Sequence, residues 1–374
     1  MDLLGLTTAE LTSLCQELGH PAYRGKQVSD WLYRKGARDL ASMTNLPRDL
    51  RVKLDESASL TRSQVLRESS SKDGTTKLLL SLADGETIES VLLPYEDRVS
   101  VCVSTQVGCA AGCVFCATAE CGFVSNLTAG EIVDQVLTLS ARGMLREASC
   151  PEATSGARPR VGANSLPTHS RATHSRGRVT HVVFMGMGEP LLNFQNVMKA
   201  VRLLHDEVGI SMRRMTISTV GITPAIRKLA ALDLQLTLAI SLHAPDADLR
   251  RKLIPLSAKY PLDELISACR DYANRTRRRV TFEYLLLAGV NDSATQAAAL
   301  AKLLRGTLCH VNLIPYNQVL GKSFSRPSGR TIAAFRSILE HSGIEVTQRL
   351  ERGHAVSAAC GQLRRRVGGT DDTG

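Results

Sequence analysis

The chain has 374 residues, 43% of them hydrophobic and only 4% aromatic, with a formal net charge of +10. That length and apolar share allow one large domain with a smaller one, the scarcity of aromatics excludes a broad base-stacking platform, and the positive excess suits a polyanionic partner. No stretch approaches the about 18 consecutive apolar residues of a membrane span, and no basic region precedes an apolar run at the N-terminus, so a cytoplasmic chain without membrane association is expected.

Residues 1–57 read as helices. Thr8 is placed to cap a helix over Ala9–Leu18, and Val28–Tyr33 carry apolar positions at helical spacing. Arg24-Gly25-Lys26-Gln27, just before the lone Trp31, reads either as a solvated helix start over a core Trp or as an RNA-backbone contact. Thr76–Leu82, Thr87–Leu93 and Val99–Thr105 are short and rich in Val, Leu and Thr, with hairpin-type turn signals at Asp73-Gly74 and Asp84-Gly85.

From Val99 onward strands and helices alternate. Strands are expected at 99–105, 179–184, 214–219, 235–241, 280–286 and 309–314, and helices at 128–141, 193–207, 223–231, 261–275, 293–304 and 328–341. Such βα units imply a parallel sheet, here an open (βα)6 partial barrel, with its site on the loops after the C-terminal strand ends. The fold class is therefore α/β, in three parts. An accessory domain of helices and short antiparallel strands spans 1–95, the partial barrel 96–350, and a C-terminal loop and tail 351–374. The segment 148–178 is rich in Ser, Arg, Pro, Thr, Gly and His. It is expected to be a disordered insertion, since it carries too little apolar surface to offset its ordering entropy. The polar tail from Gly368 is expected to fray.

The ten cysteines are unevenly placed, with Cys102, Cys109, Cys113, Cys116 and Cys121 close together. In a reducing compartment this points to metal or redox chemistry instead of a disulfide framework. Cys109-Ala-Ala-Gly-Cys113-Val-Phe-Cys116 puts three thiols on one glycine-containing loop. Zinc wants a closed shell of four, which Cys121 could complete, whereas a four-iron cluster held by three thiolates keeps one iron open. Gly186-Met187-Gly188-Glu189-Pro190 follows the second strand, where glycines allow close backbone approach and a carboxylate can pair with an ammonium group. Ser218-Thr219-Val220-Gly221 ends the third strand, Ser241-Leu242-His243 the fourth, and Pro315-Tyr316-Asn317 follows the sixth. His243 alone reads equally as a satisfied core histidine, but four polar strand ends beside the cysteine loop read together as a site.

The Cys-x3-Cys-x2-Cys loop after a first strand resembles the radical S-adenosylmethionine (SAM) superfamily. The runs Gln106–Cys109, Val183–Asn193, Ile240–Pro245 and Ala358-Ala359-Cys360-Gly361-Gln362-Leu363 narrow the resemblance to the bacterial dual-specificity RNA adenine-C2 methyltransferases. That resemblance implies one [4Fe-4S] cluster on Cys109, Cys113 and Cys116, two SAM molecules per turnover, and SAM contacts at Gly188, Glu189, Ser218, Ser241, Leu242, His243 and Asn317. The substrates it implies are an adenine in 23S rRNA and one in tRNA, the electron donor a flavodoxin or ferredoxin, and the enzyme a monomer. Carbon 2 of adenine is electron-poor, so the family parks the methyl group on a cysteine first. By resemblance Cys360 takes that methyl, a SAM-derived radical activates it, and Cys102 attacks the Cys360 sulfur to release the product as a disulfide forms. Glu89 matches the family base. Sister enzymes methylate carbon 8, and Gly122-Phe123 and Asp134-Gln135-Val136 look closer to the carbon-2 group.

Without the resemblance, Cys102 reads as a small buried hydrophobe and Glu89, between Ile88 and Ser90, as a solvent-facing charge. Cys360, among small residues, reads as part of an accessible, mobile loop. Cys15, Cys150, Cys269 and Cys309 read as structural or incidental. Gly353-His354-Ala355-Val356-Ser357 departs from the acidic loop usual in the family before its reactive cysteine.

Overall fold

The computed structural model describes residues 1–148, 178–349, 353 and 356–363. The expected insertion, apart from its two end residues, and the tail from Gly368 lie outside the described residues.

Three helices come first: α1 (Thr8–Glu17), α2 (Tyr23–Ser29) and α3 (Arg48–Ser57). The cap of α1 is Thr7, one residue earlier than expected, in a capping box with Glu10. Thr8 is instead the first helical residue, and its hydroxyl donates to Glu207 at 2.7 Å. Trp31 lies in a π-helical turn, Asp30–Arg34, half-buried with the Lys35 ammonium 3.8 Å from its ring centre, so it is not a core residue.

Strands β1 (Gln64–Ser70), β2 (Thr76–Ser81) and β3 (Thr87–Pro94) pair antiparallel, and β3 pairs antiparallel with β4 (Val99–Cys102). A small hairpin, β5 (Gln106–Gly108) and β6 (Phe123–Asn126), encloses the short helix α4 (Ala117–Glu120). The alternating units then follow as α5 (Ala129–Ala148), β7 (His181–Phe184), α6 (Phe194–Asp206), β8 (Met215–Thr219), α7 (Thr223–Ala231), β9 (Thr237–Ser241), α8 (Ala247–Leu253), α9 (Leu262–Thr276), β10 (Val280–Leu286), α10 (Ala294–Leu304), β11 (Cys309–Pro315), α11 (Gly329–His341) and β12 (Val346–Gln348).

One ten-stranded sheet has the order β1-β2-β3-β4-β7-β8-β9-β10-β11-β12, parallel from β4 onward. The antiparallel strands expected in a separate accessory unit therefore extend the barrel sheet. The first expected barrel strand stops at Cys102 instead of reaching 105. Its extension is diverted because Ser104 N–H donates to the Gln135 side chain at 2.8 Å and Thr105 N–H to Met187 O at 2.8 Å. A seventh parallel strand, β12, was not expected.

The parallel strands read as continuous apolar runs because helices cover them, and Leu238, Ile240, Phe282, Val311 and Leu313 are fully buried. A few buried polar side chains fix the loops above the strand ends. Gln135 of α5 accepts from Ser90 Oγ and from Ser104 N–H, and donates to Ser104 O at 2.9 Å. Asn193 donates to Thr105 O at 2.8 Å and Leu127 O at 2.7 Å. Satisfied networks of this kind hold irregular backbone in one arrangement.

Candidate active site

The cysteine loop hangs from the β5–β6 hairpin. Gly108 turns the chain at φ 72°, and a Cβ there would stand 1.8 Å from Gly122 O, so only glycine fits. Cys109 N–H donates to Gly122 O at 2.8 Å. On its far side the loop is braced by the chain around the end of α8. Val114 N–H donates to Leu253 O at 3.1 Å, and Leu256 N–H to Ala111 O at 3.3 Å. Cys109, Cys113 and Cys116 are free thiols lining one open cleft of about 930 Å³. Burial, with repulsion from neighbouring thiol and carboxyl groups, pushes Cys109 up to about 12 and Cys113 well above the ordinary thiol range. Burial likewise raises Cys116. Three thiols crowded under such a penalty suit a centre that binds them as thiolates.

Among the described residues, no three His, Cys, Asp or Glu side chains stand close enough to hold one metal ion. Three thiols lining one cleft, each free to take a different iron, fit a cluster with one iron left unligated by protein.

The strand ends supply the rest of the cleft, which Gly188, Glu189, Ser218, Ser241 and His243 all line. The glycines of the Gly186–Gly188 turn are needed for packing against the protein's own chain. A Cβ on Gly188, at φ 100°, would meet Gln106 at 2.6 Å. Glu189 is already engaged: Leu191 N–H donates to one carboxylate oxygen at 3.0 Å and Val220 N–H to the other at 2.8 Å. Burial pushes it up to about 7, against the pull of bonds from Val220, Thr219 and Leu191. Glu189 thus joins the ends of β7 and β8. Leu242 lines neither cavity: its side chain is in the core and its N–H donates to Glu283 O at 3.0 Å, leaving only main-chain groups for a ligand.

His243 adopts a left-handed φ of 59°, packs edge-on against Phe115 at 5.0 Å, and accepts Leu285 N–H on Nδ1 at 3.0 Å. Nε2 therefore carries the proton in the neutral ring. Burial, and then the Arg250 charge, pull its pKa down to about 3. The unfolded ring titrates near about 6.5. Between those values the unfolded chain binds a proton that the folded chain does not. Stability from this group is therefore intact above about pH 6.5 and falls by about 1.4 kcal/mol per pH unit below it. In the iron-free protein, His243→Gln is expected to lose about 2–3 kcal/mol less than wild type between about pH 7 and pH 4.5 in urea unfolding. Equal losses would refute this assignment.

A second cavity of about 760 Å³ adjoins the first, and Cys116, Arg349 and Cys360 line both. Cys102 and Asn317 line the second alone. Asn317 Oδ1 is buried with no hydrogen-bond partner among the described residues. Cys102 is 9% exposed, and burial, then Cys360, push its thiol up to about 12 while Arg349 pulls the other way. The Arg349 charge is reinforced first by Cys360, and its guanidinium reaches Met185 Sδ at 3.9 Å.

Cys360 is half-buried and docked, contrary to the expected mobile loop. Ala117 N–H donates to Gly361 O at 2.8 Å, Thr118 Oγ1 to Leu363 O at 2.5 Å, and Gln362 to Gln318 O at 2.8 Å. Glu89 is not the solvent-facing charge its alternation suggests. It is 1% exposed, 2.9 Å from the Lys77 ammonium, which also donates to Ser357 O at 3.1 Å. The C-terminal segment covers that end of the hairpin. Glu89 lines neither cavity.

Residues 1–60 match the ribosomal RNA large subunit methyltransferase N-terminal domain, and residues 169–301 the radical SAM superfamily. A probable dual-specificity RNA methyltransferase RlmN of Gloeobacter violaceus is 47% identical over 97% of this chain and 95% of its own. One of Thermosynechococcus vestitus is 46% identical over 97% and 98%. The chain belongs to the dual-specificity RNA methyltransferase family. A crystal structure of a radical SAM methyltransferase from Sphaerobacter thermophilus superposes with a TM-score of 0.86 at 47% identity, over 97% of this chain and 99% of that one. The partial-barrel fold and its cluster and SAM chemistry are those of this family.

Several residues of this family member's site escaped the sequence reading. Arg349 follows a strand only three residues long, too short for any periodicity to flag. Arg250 lies in the charged run Asp246–Lys252, which reads as a solvated helix, yet it is among the most buried side chains. Glu283, in the cleft and on the mostly apolar β10, accepts from Asn312 at 2.8 Å.

Proposed function

We propose that this chain methylates carbon 2 of an adenine in 23S rRNA and in tRNA, with Cys360 as the intermediate methyl carrier. The observation that carries this reading is the position of Cys360 between the three-cysteine cleft and the cavity holding Cys102. A methyl carrier must face both the methyl source and the resolving thiol.

The cluster and SAM, when bound, supply a methyl group and a carbon radical able to take a hydrogen from a methyl thioether. Cys109, Cys113 and Cys116 hold three of the irons. Ser218, Ser241, the His243 Nε2–H and the main chain at Gly188 offer hydrogen bonds to SAM in the first cleft; Leu242, which lines neither cavity, has only its carbonyl left to offer, and Asn317 Oδ1 lies in the second cavity. Glu189 fixes the loops that carry these groups and leaves lone pairs for an ammonium. Cys360 acts as a thiolate nucleophile toward the first methyl group. Arg349 lines both cavities with Cys360 and favours ionised Cys102 when it attacks the Cys360 sulfur. Glu89 matches the family base for the carbon-2 proton, although it lines neither cavity. Its ion pair with Lys77, itself bound to Ser357 O, ties the base to the Cys360 segment.

The proposed electron donor is a flavodoxin or ferredoxin, and the proposed state a cytoplasmic monomer. Among the described residues no helix is long and apolar enough to cross a membrane.

The test supplies reduced, iron-loaded protein with methyl-labelled SAM and either 23S rRNA fragments or tRNA, followed by nucleoside analysis. Labelled 2-methyladenosine is expected from both. Label at carbon 8 would overturn the position, label in one RNA the dual specificity, and no label the function.

A further inference from the structure

Arg250 is 1% exposed, on α8, beneath the cysteine loop. Its Nη2 donates to Val220 O and to Ser241 O, the latter at 3.3 Å, joining the ends of β8 and β9. Its Nε and Nη1 are buried without a hydrogen-bond partner among the described residues. No described carboxylate forms an ion pair with it; Asp246, one turn earlier, is occupied as the cap of α8, accepting Leu249 N–H at 2.8 Å. A buried guanidinium left this way is costly unless an anion faces it.

The groups that feel its charge are Cys113, Cys269 and His243. His243 is held neutral, and Cys269 is a fully buried thiol pushed up to about 12 by burial, so neither is a counter-anion. Cys113 is a buried thiol as well, but it sits on the cysteine loop that the segment around Arg250 braces, so the anion that would face Arg250 is a cluster held on that loop. The same segment that carries Arg250 also braces the loop through Leu253 O and Leu256 N–H. The guanidinium and the loop are therefore held in fixed relation.

We propose that Arg250 is the buried counter-charge of the iron–sulfur cluster, a tuning residue that raises its reduction potential. The inference rests on the cluster reading above. Three thiolates around an oxidised four-iron core of charge +2 give a net charge of −1, and accepting one electron makes it −2. A fixed cation close by in a low-dielectric interior stabilises the second state more than the first. The one-electron donor then has a smaller potential gap to overcome. Arg250 does not need to touch SAM or RNA for this.

The experiment is an anaerobic dithionite titration of the iron-loaded chain, following the reduced cluster by electron paramagnetic resonance, with iron counted for each preparation. Arg250→Met removes the charge and keeps the volume. At any fixed potential its reduced-to-oxidised ratio is expected to fall about tenfold, which for a one-electron couple is about 59 mV toward the negative. Arg250→Lys keeps the charge without the two carbonyl bonds, and its ratio is expected to stay within about threefold of wild type, or about 28 mV.

A fully loaded Arg250→Met with an unchanged midpoint overturns the proposal. If that variant fails to load, Arg250→Lys decides: a wild-type midpoint supports the counter-charge, and a shifted midpoint overturns it. Failure of both to hold iron also overturns it, because the residue would then be holding the loop. Wild-type protein that loads no cluster would defeat the cluster reading itself, a distinct outcome.

Discussion

Cys102→Ala, given RNA, SAM and a one-electron reductant, is expected to accumulate protein covalently joined to RNA, and Cys360→Ala to give neither adduct nor product. The two thiols share a cavity but not a role. Cys360 alone also lines the cleft of the three cluster cysteines, so it is the one within reach of a methyl donor. Without its sulfur there is nothing to methylate and nothing to add to the base. Without Cys102 the addition still proceeds, but no thiolate remains to attack the Cys360 sulfur. The adduct should reach at most about one RNA per chain, and released product should fall to background, since the carrier is not regenerated. The readout is a slow band on a denaturing gel that nuclease removes. Normal turnover by Cys102→Ala, or an adduct with Cys360→Ala, would show that the covalent route is wrong.

Cys113→Ala is expected to drop bound iron from about four atoms per chain to near background and to abolish SAM cleavage, because each thiolate holds one iron. Cys121→Ala is the internal control. Cys121 does not line the cleft, so its removal should leave iron and cleavage intact. A zinc shell would give the opposite pattern, with both substitutions losing metal. Iron analysis and chromatography of 5′-deoxyadenosine on anaerobically prepared protein measure both quantities. A Cys113→Ala chain that keeps its iron and cleaves SAM would sink the cluster assignment.

Most of the barrel was legible because its strands are buried on both faces. Runs such as Thr237–Ser241 and Val280–Leu286 are mostly apolar, with Thr and Ser only at the ends of the first and Thr281 and Glu283 within the second, and helices of ordinary length separate the strands. What the pattern missed depends on contacts distant in sequence. Ser104 and Thr105 continue a strand-like composition, yet bonds to Gln135 and Met187 pull them out of the sheet. Glu89 alternates as an outward residue should, but Lys77 and the segment around Ser357, some 270 residues later in the chain, bury it. Glycine and glutamate stand out in the sequence at Gly186–Glu189, and much of what fixes them there is the protein's own backbone. Arg250 and Arg349 could not be found from spacing, since charge in a short element carries no sign of burial.

The docking of the C-terminal segment on α4 sets how far Cys360 can travel. Ala117, whose N–H grips Gly361 O, is the residue after Cys116, and Gly361 is the residue after Cys360. One hydrogen bond therefore links the neighbour of a cluster ligand to the neighbour of the methyl carrier. Any shift of Cys360 toward one cavity either carries this link along or breaks it. Breaking this one bond costs about 0.5–1.5 kcal/mol, and the bonds at Leu363 O and Gln318 O still hold the segment beside it. Because Cys360 already lines both cavities, no strand of the sheet has to open for it to serve either.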